Sequence, residues 1–159
     1  MGETKAVTGL ATLLKKEYPY IRILITSVTE TGHAEAKRSL PFADYHLFLP
    51  FDFSFIVKPL VKMANPSLVI LSETDYWYHF MSAAKKSGAL TAIVNGKLSL
   101  RSLKRYKILN RLFNGYFTPL DILCVQSPRY AERFNALGIL DSIIHVTGNL
   151  KLDAPKEIL

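Results

Sequence analysis

Leu68-Val69-Ile70-Leu71-Ser72-Glu73-Thr74-Asp75-Tyr76-Trp77 is the stretch of sequence that decides the fold. Its four leading apolar residues predict a buried strand, and residues 79–86 have the pattern of a helix that follows directly. A strand that enters a polar, aromatic turn and then a helix is typical of the carboxyl edge of an α/β sheet, where ligands bind near helix N-termini. We therefore expect Glu73 at that edge and Asp75 as the N-cap of the next helix.

Similar apolar runs recur along the chain at intervals of about two dozen residues, with a helical pattern between most of them. They predict five further strands, at residues 21–26, 45–49, 90–94, 121–126 and 143–147. This alternation predicts an open parallel sheet with helices on both faces, a Rossmann-like α/β fold in one domain over residues 1–159. No strand precedes the helical pattern that begins near Ala6, so we expect the chain to be a fragment whose first strand is missing.

The composition is that of a globular protein with a basic surface. Lysine and arginine total 20 against 13 acidic residues, and the formal net charge of +7 favours an anionic partner. Much of this charge lies in an amphipathic helical pattern around residues 101–111, which suits either a solvated face or contact with phosphates or an acidic bilayer. The single cysteine, Cys124, lies in an apolar run and is predicted to be a buried, reduced thiol.

Candidate catalytic groups follow the predicted strands. Glu3, Glu73 and Lys151 would share one edge of the sheet if a strand preceded Glu3. One carboxylate there could act as a general base, while the other and the lysine stabilise developing charge. The same residue types also serve as helix caps and dipole partners, so both interpretations stay open.

The turn at residues 29–32 combines hydroxyls with a glycine before a helix, which suits an anion but also makes an ordinary capped turn. The four histidines lack the spacing of a helical zinc motif. No G-x-G-x-x-G or P-loop is present, so no dinucleotide or ATP cofactor is predicted.

Six short blocks, in order along the chain, resemble one family: the N-terminal half of the 3-deoxy-D-manno-octulosonic acid (Kdo) transferases, glycosyltransferases of the GT-B type. Residues 2–3 resemble the end of its Ser-Val-Gly-Glu motif, 29–32 its Thr-x-Thr-Gly turn, 72–77 its Glu-Thr-Glu-Leu-Trp block, 95–99 its Asn-Ala-Arg-Leu-Ser block, 125–127 its Gln-Ser helix start and 146–151 its Val-Thr-Gly-Asn-Leu-Lys block. The chain departs from these patterns at Asp75-Tyr76, at Tyr78 and at Gly96-Lys97.

The resemblance implies a function and a set of roles. Glu3 would accept the proton of an acceptor hydroxyl on a lipid A precursor, and Glu73 and Lys151 would assist the transition state. The acceptor-binding residues would be Thr29, Thr31, Gly32 and Asn95. Charge alone adds Arg101, because the basic helical pattern that it begins fits an anionic acceptor. The donor would be CMP-Kdo, bound mainly by a C-terminal domain absent from this chain, and no metal or other cofactor would be required.

By the same resemblance, the domain would lie peripherally on the cytoplasmic face of the inner membrane, and the chain alone would be inactive. Two alternatives stay open beside the transferase half. One is a non-catalytic remnant that binds an anionic lipid or polysaccharide. The other is a nucleic-acid-binding α/β domain, although no nucleic-acid module signature is present and no nucleic-acid partner is expected.

Overall fold

The structure, a computed structural model, describes residues 2–73, 76–113 and 115–150, with side chains from Val7 onward. The chain divides into two compact units. Unit 1 comprises the residues up to Pro50 together with the segment from Asn149, and unit 2 comprises Phe51–Gly148.

In its described residues, unit 1 is a parallel strand pair with two helices. It contains α1 (Gly2–Glu17), β1 (Leu24–Ser27), α2 (Glu30–Ser39) and β2 (Tyr45–Phe48). β1 and β2 run parallel, with Leu24 opposite Tyr45. Ala36 of α2 and Leu40, the C-cap residue that follows it, are buried.

Unit 2 contains a four-stranded parallel sheet with the strand order β3-β4-β5-β6. Its elements are α3 (Ser54–Ala64), β3 (Leu68–Ser72), α4 (Tyr78–Lys86), β4 (Leu90–Gly96), α5 (Leu100–Leu112), β5 (Ile122–Val125), α6 (Pro128–Asn135), a 3-10 turn (Asp141–Ile143) and β6 (Ile144–Val146). The core includes Leu123 and Val125 of the sheet, Met81 of α4 and the fully buried Leu98.

The predicted parallel α/β architecture is confirmed, and all six predicted strands are present. The described strands hydrogen-bond as one pair and one four-stranded sheet. β4 runs on to Gly96, past its predicted end at Val94, because Gln126 donates from its backbone to the Gly96 carbonyl at 3.0 Å. Among the described residues, no helix has the length and apolarity needed to cross a membrane.

The N-cap prediction for α4 was wrong. Trp77 occupies the N-cap position, and Asp75 lies outside the described residues. The first-turn amides are instead satisfied from a distant loop, since the Asp52 carboxylate accepts from His79 N at 3.0 Å and from Phe80 N at 2.8 Å. A tertiary cap of this kind fixes the start of the helix that follows the Glu73 turn.

Candidate functional site at the carboxyl edge of the four-stranded sheet

Polar side chains gather where β3, β4 and β5 end. Glu73 follows β3 directly, and its amide donates to the Val94 carbonyl at 2.9 Å. Asn95 and Gly96 close β4, and Gln126 follows β5. The carboxyl ends of parallel strands are where α/β sheets bind ligands, so the predicted placement of Glu73 is confirmed.

Two residues at this edge hold a left-handed backbone conformation. Glu73 has φ 70° and Asn95 has φ 55°, and they lie at the ends of neighbouring strands. Such a conformation costs about 1–3 kcal/mol in a non-glycine residue, less for asparagine, and it persists where the surrounding structure fixes it. Strained residues of this kind cluster at active sites, which makes this edge the strongest candidate in the described part of the chain.

Glu73 is ion-paired although it is buried. Its side chain is 5% exposed, and its Oε2 lies 2.5 Å from Lys97 Nζ, whose side chain is 39% exposed. Removing a carboxylate from water is unfavourable unless a charged partner compensates for it. The lysine ammonium provides that compensation, so a carboxylate can be retained at the edge of an otherwise apolar core.

The segment that carries Lys97 is held on both sides. Before it, Gln126 Nε2 donates to the Asn95 carbonyl at 3.1 Å. A Cβ on Gly96 would lie 3.1 Å from the Cys124 carbonyl oxygen, so glycine permits the close approach of β4 and β5 here. After it, the Arg133 guanidinium donates to the Leu98 carbonyl. Lys97 therefore extends from a backbone that has little freedom to move.

The helix that follows presents a basic and apolar surface. Ser99 caps α5 by accepting from Ser102 N at 3.0 Å. The sequence of α5 contains no acidic residue, and its exposed side chains are Leu100, Arg101, Lys104, Arg105, Lys107, Ile108, Arg111 and Leu112. We call this set the α5 surface. Arg101, predicted to bind the acceptor, lies in its first turn.

A phenylalanine triad in unit 2 was missed by sequence reasoning. Phe51, Phe53 and Phe55 are all more than half exposed. The Phe53 and Phe55 rings stack with centroids 5.7 Å apart, and Phe51 lies 6.3 Å from Phe53. Exposed aromatic clusters of this kind indicate an interaction surface. The available signal was the alternation of phenylalanine with polar residues directly after Pro50.

Tyrosines near α4 form a packed cluster rather than an acid–base group. The Tyr78 and Tyr116 rings stack at 5.0 Å, and Tyr76 packs against Phe117 at 4.7 Å. Burial, together with the neighbouring Tyr106, raises the pKa of Tyr116 to about 12. Burial also raises the pKa of Tyr76. Both phenols are therefore neutral near pH 7 and supply no base.

Cys124 on β5 is a free thiol that is half-buried, whereas a buried thiol was predicted, and desolvation raises its pKa. Within the described residues, no three His, Cys, Asp or Glu side chains come together as a metal site.

In unit 1, the turn predicted to bind the acceptor is a capped helix start. Thr29 Oγ1 accepts from Gly32 N at 3.1 Å and lies 3.4 Å from Thr31 Oγ1. A Cβ on Gly32 would lie 2.9 Å from Thr29 Oγ1, so the cap requires glycine there. The capped-turn interpretation of residues 29–32 is therefore confirmed, and their binding of the acceptor stays a prediction.

Of the three predicted catalytic side chains, Glu73 is described. Glu3 lies in the first turn of α1, and its side chain is outside the described residues, as is the whole of Lys151.

The chain is similar in sequence to one family. The family model for 3-deoxy-D-manno-octulosonic-acid transferase (kdotransferase) matches residues 1–154. A 3-deoxy-D-manno-octulosonic acid transferase of Chlamydophila psittaci is 43% identical over 152 residues, which cover 95% of this chain and 35% of the relative. Those of Chlamydia trachomatis serovar D and Haemophilus influenzae are 40% and 28% identical, over 95% and 96% of this chain and 35% and 36% of the relatives. The chain thus spans about a third of the length of these relatives.

Solved structures that share the fold include proteins of a different group. A UDP-N-acetylglucosamine 2-epimerase superposes with a TM-score of 0.69 at 18% identity, over 96% of this chain and 44% of that one. The UDP-GlcNAc 2-epimerase from Neisseria meningitidis, bound to UDP-GlcNAc, gives a TM-score of 0.65 at 15% identity, over 96% and 45%. At such low identity the likeness shows the fold alone, a Rossmann-like half of a GT-B architecture.

Proposed function

Because the chain belongs to the 3-deoxy-D-manno-octulosonic-acid (Kdo) transferase family, we propose that it forms the acceptor-binding half of an enzyme that transfers Kdo from CMP-Kdo to a lipid A precursor. The observation that carries this proposal is Glu73, a buried carboxylate in a left-handed conformation at the carboxyl edge of the sheet. Burial of the carboxylate and the left-handed backbone both cost free energy. A carboxylate that is kept despite these costs, at the edge where α/β sheets bind ligands, is the arrangement expected of a catalytic group.

In the proposed reaction, an acceptor hydroxyl oxygen forms a bond to the anomeric carbon of Kdo while the bond from that carbon to the phosphate oxygen of CMP breaks. Glu3 takes the hydroxyl proton as general base, and CMP leaves with the bonding electron pair. Glu73 stabilises the positive charge that develops at the anomeric centre, and Lys151 stabilises the negative charge on the leaving phosphate. No step is assigned to a metal or an organic cofactor.

Acceptor binding is proposed for Thr29, Thr31, Gly32, Asn95 and Arg101. The threonine hydroxyls and the exposed Arg101 guanidinium are donors of the kind that bind phosphate groups, which a lipid A precursor carries. Asn95 is fully buried, so we propose that it contributes through the position that it gives to the backbone at the carboxyl end of β4.

The same protein is proposed to act at the cytoplasmic face of the inner membrane as a peripheral protein. The α5 surface supports this proposal, because cationic side chains attract anionic headgroups while exposed leucine and isoleucine side chains can enter the interface. The phenylalanine triad offers a second apolar contact.

Vesicle co-sedimentation tests the membrane proposal. The chain should co-sediment with anionic phosphatidylglycerol vesicles, and the bound fraction should fall as the salt concentration rises. Neutral phosphatidylcholine vesicles should retain little of it. The double variant Lys104→Glu/Arg105→Glu should lose most of the retention. Equal retention on both vesicle types, or salt-sensitive binding to RNA but not to vesicles, would overturn the membrane proposal.

The activity is tested with a chimeric transferase, in which this chain replaces the matching segment of the Chlamydophila psittaci relative. The chimeric transferase should convert a lipid A precursor to its Kdo-bearing product with CMP-Kdo as donor, whereas this chain alone should give no turnover. Turnover by the chain alone would show that it is more than an acceptor-binding half. A folded chimeric transferase without activity would overturn the proposed reaction.

A further inference from the structure

Lys97 has no part in the reaction proposed above, yet it contacts the carboxylate on which that reaction depends. We propose that Lys97 is a positioning residue, whose ammonium holds the Glu73 carboxylate charged and correctly oriented at the carboxyl edge. This inference rests on the proposed function, because the orientation of Glu73 matters for catalysis only if Glu73 acts on a substrate.

The two partners of the ion pair differ in burial. Glu73 is almost fully buried, whereas a substantial part of the Lys97 side chain faces solvent, and the two charged atoms are 2.5 Å apart. A carboxylate buried to this degree is stable as an ion only beside a cation. Because Glu73 also has a left-handed backbone, the direction in which its side chain leaves the chain depends on the contacts that hold it.

The backbone segment on which Lys97 lies is rigidly held. The Asn95 and Gly96 carbonyls both accept from Gln126, and the Leu98 carbonyl accepts from Arg133. On the other side of the ion pair, the Glu73 amide is bonded to the Val94 carbonyl. Both partners therefore extend from fixed backbone positions directly after two adjacent strands, which is the preorganisation that a catalytic group needs.

A second lysine–carboxylate pair in unit 2 provides a matched comparison. Lys85 pairs with Asp121, and the Lys85 side chain is 42% exposed, close to the value for Lys97. Asp121, however, directly precedes β5 and therefore lies at the amino edge of the sheet, where it also accepts from Thr91 N at 3.0 Å. Substitution of Lys85 therefore removes a similar ion pair, but at the edge of the sheet opposite to Glu73, and serves as the control for substitution of Lys97.

The first arm of the experiment uses this chain alone, labelled with ¹³C in the glutamate side chains. In Lys97→Gln the carboxyl ¹³C signal of Glu73 should shift, in Lys97→Arg it should stay close to its wild-type position, and in Lys85→Met it should not move. An unchanged amide spectrum outside the neighbourhood of the substitution verifies that each variant is folded.

The second arm measures kinetics in the chimeric transferase. Lys97→Gln should lower kcat by about 10- to 100-fold, the range expected from misplacement of a catalytic group. The KM for the acceptor should change by less than about threefold, and Lys97→Arg should restore most of kcat. Lys85→Met should leave kcat unchanged.

Three results would overturn the positioning role: a Glu73 signal that does not respond to Lys97→Gln, a kcat for that variant within about twofold of wild type, or an equal loss in Lys97→Arg and Lys97→Gln. A wild-type chimeric transferase that is folded but inactive, with a Glu73 signal that still responds, would instead show that the proposed reaction is wrong, and the positioning role would fall with it.

Discussion

Replacement of Asp52 by alanine should destabilise unit 2, because this carboxylate caps the start of α4, whose N-cap residue Trp77 makes no side-chain capping hydrogen bond. Its two oxygens accept from the amides of His79 and Phe80 at 3.0 and 2.8 Å. Loss of a side-chain cap typically costs about 1 kcal/mol, and loss of a negative charge beside a helix N-terminus costs about 0.3–1 kcal/mol more. Since two amides are affected here, we expect Asp52→Ala to lower the free energy of unfolding by about 2 kcal/mol.

Urea unfolding followed by tryptophan fluorescence measures this effect directly. Trp77 is the only tryptophan in the chain and occupies the N-cap of α4, so its emission reports on the helix that Asp52 caps. With a urea m-value of about 2 kcal/mol/M, the midpoint should fall by about 1 M.

Asp52→Asn keeps an acceptor oxygen but loses the charge, and should cost about half as much. Glu132→Ala, at an exposed position on α6, should stay within about 0.5 kcal/mol of wild type. An Asp52→Ala midpoint equal to that of Glu132→Ala would refute the tertiary cap.

Two further predictions concern the same unit. Gly96→Ala places a methyl group 3.1 Å from the Cys124 carbonyl oxygen, so it should lower the free energy of unfolding in urea by about 1–3 kcal/mol and shift the amide signals of β4 and β5. Gly88→Ala should also be destabilising, because Gly88 has a φ of 92°. Since there is open space around Gly88, that variant should leave the β4 and β5 amide signals unshifted. Asp121 has a lowered pKa: burial alone would raise it, but hydrogen bonds from Lys85 and Thr91 more than offset that effect. The stability contributed by Asp121 should therefore be complete above its ordinary pKa of about 3.9 and be lost as the pH falls through the lowered value. Urea midpoints measured on acidification should accordingly fall less steeply in Asp121→Asn than in wild type, and parallel curves would contradict this assignment.

Local sequence patterns were sufficient to predict most of the secondary structure. α3 ends at Ala64, where its apolar pattern ends, because Asn65 adopts a left-handed C-cap conformation with φ 43°. The edge position of Glu73 followed from an apolar run that enters a polar turn. Both features depend on residues that are close together in the sequence.

What sequence patterns missed depends on contacts between distant segments. β4 extends to Gly96 because Gln126 supplies hydrogen bonds across the sheet. The cap of α4 comes from Asp52, which precedes α3. The Glu73–Lys97 pair requires the register that places Ser72 opposite Val94, and that register is fixed only when β3 and β4 pair. Sequence patterns were therefore insufficient to predict that Glu73 and Lys97 form an ion pair.

The most direct test of the proposed catalytic edge is the kcat of Glu73→Gln in the chimeric transferase, measured with CMP-Kdo and a lipid A precursor. Glutamine keeps the size of the side chain but removes the charge assigned to transition-state stabilisation, so kcat should fall by at least about 100-fold while Glu132→Gln stays at the wild-type rate. A folded Glu73→Gln enzyme whose kcat lies within about twofold of wild type would contradict the catalytic role of this carboxylate.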